Sequence, residues 1–130
     1  MHQNARRRAR SRGSVTAETA AVLPALMVVL AAALWAVGAV EAHLKCVDAA
    51  RAGARAAARG EPLDQVRSRV SNAAPPGASV EINREAGTTR VEVSAPIKPP
   101  WGPTLPAVDV SATAVSATEP GAEEAGSSLP

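Results

Sequence analysis

Residues 19 to 40 form an unbroken run of 22 positions without a formal charge, introduced by one acid, Glu18, and by five arginines, Arg6, Arg7, Arg8, Arg10 and Arg12. At ~1.5 Å per helical residue the run is roughly 33 Å long, enough to cross a hydrocarbon core of about 30 Å. The sequence therefore predicts a membrane-spanning helix. Basic residues flanking an apolar span stay in the cytoplasm, so the expected orientation puts the N-terminus inside and everything from Glu41 onward outside. The residues beyond the helix suffice for at most one modest domain.

A carboxylate at the edge of a bilayer-spanning helix costs a few kcal/mol on insertion scales (about 2.5–3.5 at the helix centre), so Glu18 is a functional-site candidate that should have a partner. If a protease cuts after Gly13, Ser14 becomes the new N-terminus, and Glu18 lies four residues on, one turn away on the same face. In a bundle of such helices Glu18 of one subunit could then neutralise the Ser14 ammonium of its neighbour. The short basic leader ending in glycine, the acid at the fifth mature position and the immediate apolar helix resemble a prepilin-type signal, the substrate of prepilin peptidases. Within that class, Glu18-Thr19-Ala20-Ala21-Val22-Leu23-Pro24 before a small-residue helix resembles the TadE-like family, minor pilins (pseudopilins) of tight-adherence, or Flp, pili. The resemblance continues weakly to Thr118-Glu119-Pro120. Many relatives place an aromatic directly after the acid, where this chain has Thr19.

The resemblance implies a structural subunit that helps to initiate, cap or stabilise a pilus or a related secretion apparatus. Its implied partners are a prepilin peptidase, other pilin subunits packed through the N-terminal helix, a membrane assembly platform and the lipid bilayer. Its implied location is the cytoplasmic membrane, the cell surface or the pilus. Two other classes stay open on the residues alone. A conventional secretory signal would be cut near Val37-Gly38-Ala39 and release a binding domain, although the run exceeds the usual signal core of about 7–15 residues. A permanently anchored envelope protein, a sensor or adaptor, would keep the whole chain.

The formal charge of +2 averages two unlike parts. Five of the positive charges sit in residues 1–13, so the chain from Ser14 carries nine basic and twelve acidic groups, a net −3. The arginine cluster abuts a membrane helix with no interleaved aromatics, which argues against a nucleic-acid patch. Phenylalanine and tyrosine are absent. With Trp35 in the apolar run and Trp101 in a proline-rich segment, the outer domain must build its core from valines, alanines and a few leucines, and should be small and marginally stable.

Residues 1–13 are expected to form no structure of their own, as a processed leader, and 14–40 to form the span, with Pro24 bending it. Residues 41–60 are alanine-rich and continue the helix. Glu41, Lys45, Asp48, Arg51, Arg55 and Arg59 share one face of it; Cys46, Val47, Ala50, Gly53, Ala54 and Ala57 share the other. Small residues four apart let helix backbones approach closely, so this face is a candidate for packing on neighbouring subunits or on the chain's own domain. Gly60 before Glu61-Pro62 is a helix stop. Leu63, Val66 and Val70 predict a short second helix to Asn72 or Ala73, ended by Pro75-Pro76-Gly77.

From Ser79 the pattern alternates. Val80 and Ile82 against Glu81 and Asn83, then Val91 and Val93 against Arg90 and Glu92, predict a hairpin turning at Glu85 to Thr88. Pro96 to Pro106, with five of the eleven prolines, reads as an extended loop. Val108, Val110 and Ala112 alternate with Asp109, Ser111 and Thr113 as a third strand ending near Thr118. The domain of residues 61–118 is thus a small α+β unit with a three-stranded antiparallel sheet, pilin-like with its long helix, and 119–130 reads as a disordered tail.

No enzyme, metal site or cofactor is expected. His43 and Cys46 lie three apart with no further ligand cluster, whereas metal sites need three or four. Cys46 is the sole cysteine, which excludes an intrachain disulfide and leaves a buried thiol or an intermolecular bridge. There is no glycine-rich phosphate loop or nucleophile elbow, and Glu81 and Glu92, facing each other on the exposed side of a hairpin, lack a pocket to shift their pKa values.

Overall fold

The structure, a computed structural model, describes the backbone of residues 3–102 and 104–117 and the side chains of residues 14–102 and 104–117. The expected tail, 119–130, lies outside the described residues. The elements are α1 (Gln3–Ala58), α2 (Leu63–Ala73), β1 (Ser79–Glu85), β2 (Thr88–Ile97) and β3 (Val108–Ala117). The protein is thus α+β, and it divides into two compact units, Met1–Val37 and Gly38–Pro130.

The described residues of the first unit are helix. Pro24 lies inside α1 without breaking it. The helix starts at Gln3, although the sequence predicts no structure before Ser14. Alanine and arginine are good helix formers, and extending an existing helix needs no new nucleus. The basic segment can therefore extend the helix that the apolar run nucleates.

In the second unit α1 ends in a Schellman cap. Glu61 N–H donates to Ala56 O (3.2 Å) and Gly60 N–H to Ala57 O (3.0 Å), with Gly60 at φ 77°. This left-handed geometry suits a residue without a Cβ. Across the turn Glu61 takes Arg59 Nη2 at 2.7 Å and Arg69 Nη2 at 3.3 Å, tying the end of α1 to α2. Pro62 O starts α2 by accepting the N–H groups of Gln65 and Val66, both at 3.0 Å.

The three strands are antiparallel in the order β1-β2-β3. Register runs from Ser79↔Ser94 to Glu85↔Thr88 in the first pair and from Thr88↔Ala117 to Ile97↔Val108 in the second. Ala86 and Gly87 make the hairpin turn, with Gly87 at φ 81°. The strand β2 is two residues longer than a loop beginning at Pro96 allows, since Pro96 pairs with Asp109 and Ile97 with Val108. Pro96 lies beyond Ser94, where pairing with β1 stops, so only one side of the strand is laddered there and the missing N–H is tolerated.

One sheet face is buried. Val91, Val93 and Ala95 of β2 cluster with Val66 and Val70 of α2 and with Cys46, Ala49, Ala50, Ala54, Ala56 and Ala57 of α1. Val80, Ile82, Val110, Ala112 and Ala114 flank them, partly buried. Thr89 is also buried and accepts a long hydrogen bond (3.5 Å) from Arg84 Nε. Among the described residues the largest fully buried aliphatic side chains are valines, and alanine lets helix and sheet approach closely enough to close the core.

Candidate functional site on the N-terminal helix

Ser14 and Glu18 are both exposed on α1, one turn apart. Thr19 Oγ1 donates to Val15 O at 2.9 Å, so the hydroxyl beside the acid is satisfied within the helix. Gly13 lies in the helical backbone of α1.

Between Glu18 and Glu41 the helix surface carries no charge on any side. Leu26, Met27, Val28, Val29 and Leu30 are consecutive, so their 100° steps sweep the whole circumference, and all are between 54% and 69% exposed. Val22, Leu23, Leu34 and Val37 are exposed likewise. A helix hydrophobic all round belongs in a core or a membrane, and no residue of its most apolar window is buried. Its most apolar 18-residue window has a mean hydropathy of 2.4, long and apolar enough to cross a membrane.

The small-residue face lies elsewhere, in the second unit. Cys46, Ala50, Gly53, Ala54 and Ala57 are buried and Val47 is half-buried, and Ala42, Ala49 and Ala56 join the buried set. A Cβ at Gly53 would collide with Val70 Cγ2 and come within 3.2 Å of Val91 Cγ1. This stretch is therefore occupied by the chain's own α2 and sheet. Sequence reasoning could not separate Ala49 and Ala56 from other alanines, because only the partner surface distinguishes them.

On the opposite face Glu41, Lys45, Asp48, Arg51, Arg55 and Arg59 are all exposed. Lys45 Nζ lies 2.8 Å from Glu41 Oε1; its hydrogen bond first, and its charge second, hold the Glu41 carboxyl below its ordinary value. The pair is solvated and serves as surface rather than site.

His43 is exposed and Cys46 buried, so the two do not converge on one point. Burial pushes the Cys46 thiol up from its ordinary value, which disfavours the reactive thiolate. Glu81 and Glu92 are paired directly across β1 and β2 and both are exposed. Like charges in that position weaken the pair slightly. Trp101 is 46% exposed in the segment between β2 and β3.

Comparison with known proteins points the same way as the helix. The family model described as TadE-like protein matches residues 13–55, the stretch that contains Glu18 and the apolar surface. A Mycobacterium tuberculosis (strain ATCC 25618 / H37Rv) protein named apoptosis inhibitor Rv3655c is 37% identical over 111 residues, covering 83% of this chain and 82% of the relative. No solved structure matches.

Proposed function

The chain belongs to the TadE-like family, and from that premise we propose that it is a minor pilin-like structural subunit for a tight-adherence pilus or a related secretion apparatus. In this reading prepilin peptidase cuts after Gly13, and the helix from Ser14 is held in the cytoplasmic membrane with the N-terminus inside. The small domain lies outside, and the helix packs beside those of other pilins on a membrane assembly platform. The chain performs no chemistry. The observation that carries the reading is the apolar surface around the whole circumference from Leu26 to Leu30, introduced by the exposed Glu18. Such a surface is matched by lipid before assembly and by neighbouring helices after it.

A second reading is a chain released from the membrane rather than assembled; the Mycobacterium relative is named for a different role, inhibition of apoptosis. Counting pili on cells that lack the chain separates the two. The subunit reading expects few or no pili, with restoration by the full chain. Normal pili, together with a chain free in the medium, would favour release.

A further inference from the structure

Trp101, Leu105 and Val108, at the connection between β2 and β3, are large apolar residues left between 46% and 49% exposed. Residues 98–107 carry one charge, Lys98, and no acid. Four of these ten residues are prolines, which have no N–H to leave unsatisfied outside water. The segment therefore loses little on entering a less polar surrounding, and its place along α1 identifies which one.

The path of the chain fixes that place. The helix α2 doubles back along α1: it starts at Leu63, after the cap that ends α1, yet its Val70 packs against Gly53. The turn after α2 is tight, closed by Ala78 N–H donating to Pro75 O at 3.1 Å, so β1 begins at the end of α2 nearer to Val40. Arg67 Nη1 donates to Val80 O at 2.8 Å, which sets the first residues of β1 beside α2 rather than beyond it. Val91, the partner of Ile82, packs against the same Gly53 as Val70 does. Had β1 carried on in the direction of α2, Val91 would lie well past the end of that helix. The strand β1 therefore runs away from Val40, and β2 returns toward it.

Two lengths then coincide. From Val91 to Ile97, where β2 ends beside Val108, is six residues, roughly 20 Å of strand. From Gly53 back to Val40, the last residue of the uncharged run, is thirteen residues, roughly 20 Å of helix. The connection between β2 and β3 thus reaches the level on α1 at which the charge-free sequence gives way to Glu41.

We infer that Trp101, with Leu105 and Val108 from the same connection, seats in the headgroup layer of the bilayer that α1 crosses and gives the small domain a second foothold there. Tryptophan favours that layer because its ring is apolar while its indole N–H still meets polar groups. Lys98 carries the sign that anionic headgroups attract. The contact rests on the anchored reading proposed above.

Tryptophan fluorescence of the full chain, reconstituted at high dilution in vesicles of phosphatidylcholine and phosphatidylglycerol, tests it. Trp35→Phe leaves Trp101 as the sole tryptophan, and Trp101→Phe leaves Trp35. The lipids carry bromine, a quencher, either near the headgroup or near the chain ends. Trp101 should be quenched several-fold more strongly by bromine near the headgroup, and its emission should lie at shorter wavelength than that of tryptophan in water.

Trp101 emission unmoved by either brominated lipid would overturn the contact, whether iodide in the water quenches it, the mark of a solvated loop, or does not, the mark of a protein partner. Equal or stronger quenching from the chain ends would overturn the headgroup placement. The Trp35 chain separates this failure from that of the anchor. Quenching of Trp35 by brominated lipid without quenching of Trp101 leaves the anchor standing and removes the contact; quenching of neither would overturn the anchor, and the contact with it.

Discussion

Gly53→Leu unfolds the second unit. A Cβ at this position already collides with Val70 Cγ2 and presses on Val91 Cγ1 at 3.2 Å, and both neighbours are fully buried valines with no room to retreat. Overpacking a well-filled core costs about 1–3 kcal/mol and occasionally more, and three further carbons at the closest approach belong at the upper end. Against a total stability of roughly 5–15 kcal/mol for ordinary domains, and less for a core built of valine and alanine, that loss is decisive.

Gly53→Ala sets two effects against each other. Replacing a helical glycine gains up to about 1 kcal/mol in propensity. The same Cβ loses about 1–3 kcal/mol by overpacking, so the net change is destabilising. At Gly38, where nothing lies within 4 Å of the added Cβ, only the propensity gain remains. Limited proteolysis of the purified chain in detergent reads the difference: Gly53→Leu should be digested from Gly60 onward under conditions that spare the parent and Gly38→Ala. Equal resistance of Gly53→Leu would mean that the close approach of α1 to α2 is not a structural requirement.

Glu18→Ala should lower the number of assembled fibres at least about tenfold while leaving membrane insertion intact. Removing a carboxylate from the edge of an apolar span relieves a cost of a few kcal/mol (about 2.5–3.5 at the helix centre), so insertion cannot suffer. The loss falls on the attraction for the Ser14 ammonium that the cut after Gly13 would create. A tenfold change corresponds to only about 1.4 kcal/mol, within the range of one charge-assisted contact in a partly desolvated bundle. Glu18→Gln should fail like alanine, because the amide carries no charge, and Glu18→Asp should retain part of the function. Fibre counts and membrane fractionation on the same cells check both halves. Normal fibre numbers for Glu18→Ala would remove the acid from the mechanism.

The long helix was legible because an uncharged run of that length has few other solutions in water, and the strands because Val and Ile alternate with charged residues. Gly60 was legible as a cap because it precedes Glu61-Pro62. The alanine stretch was only half legible. Between Glu41 and Ala58 most uncharged positions are alanine, so periodicity defines a broad non-charged arc. The core then selects within it, drawing in Ala49 and Ala56 and leaving Val47 half-buried. Composition suggests a loop from Pro96, but register decides otherwise there, because a proline past the end of the neighbouring strand leaves no ladder bond unmade. The proposed site is a reading of residue types in order, Gly13, Ser14 and Glu18. Its purpose depends on a second molecule, which no single chain displays.

The central claim is that this chain is a prepilin-type substrate whose function begins with a cut after Gly13. The intact mass and N-terminal residue of the protein recovered from membranes, with prepilin peptidase present and absent, test that claim most directly. The expected result is a chain starting at Ser14 when the peptidase is present and a full-length chain when it is absent. A full-length chain in both samples, or one starting near Val40 to His43, would contradict it, the first pointing to a permanent anchor and the second to release by a conventional signal peptidase.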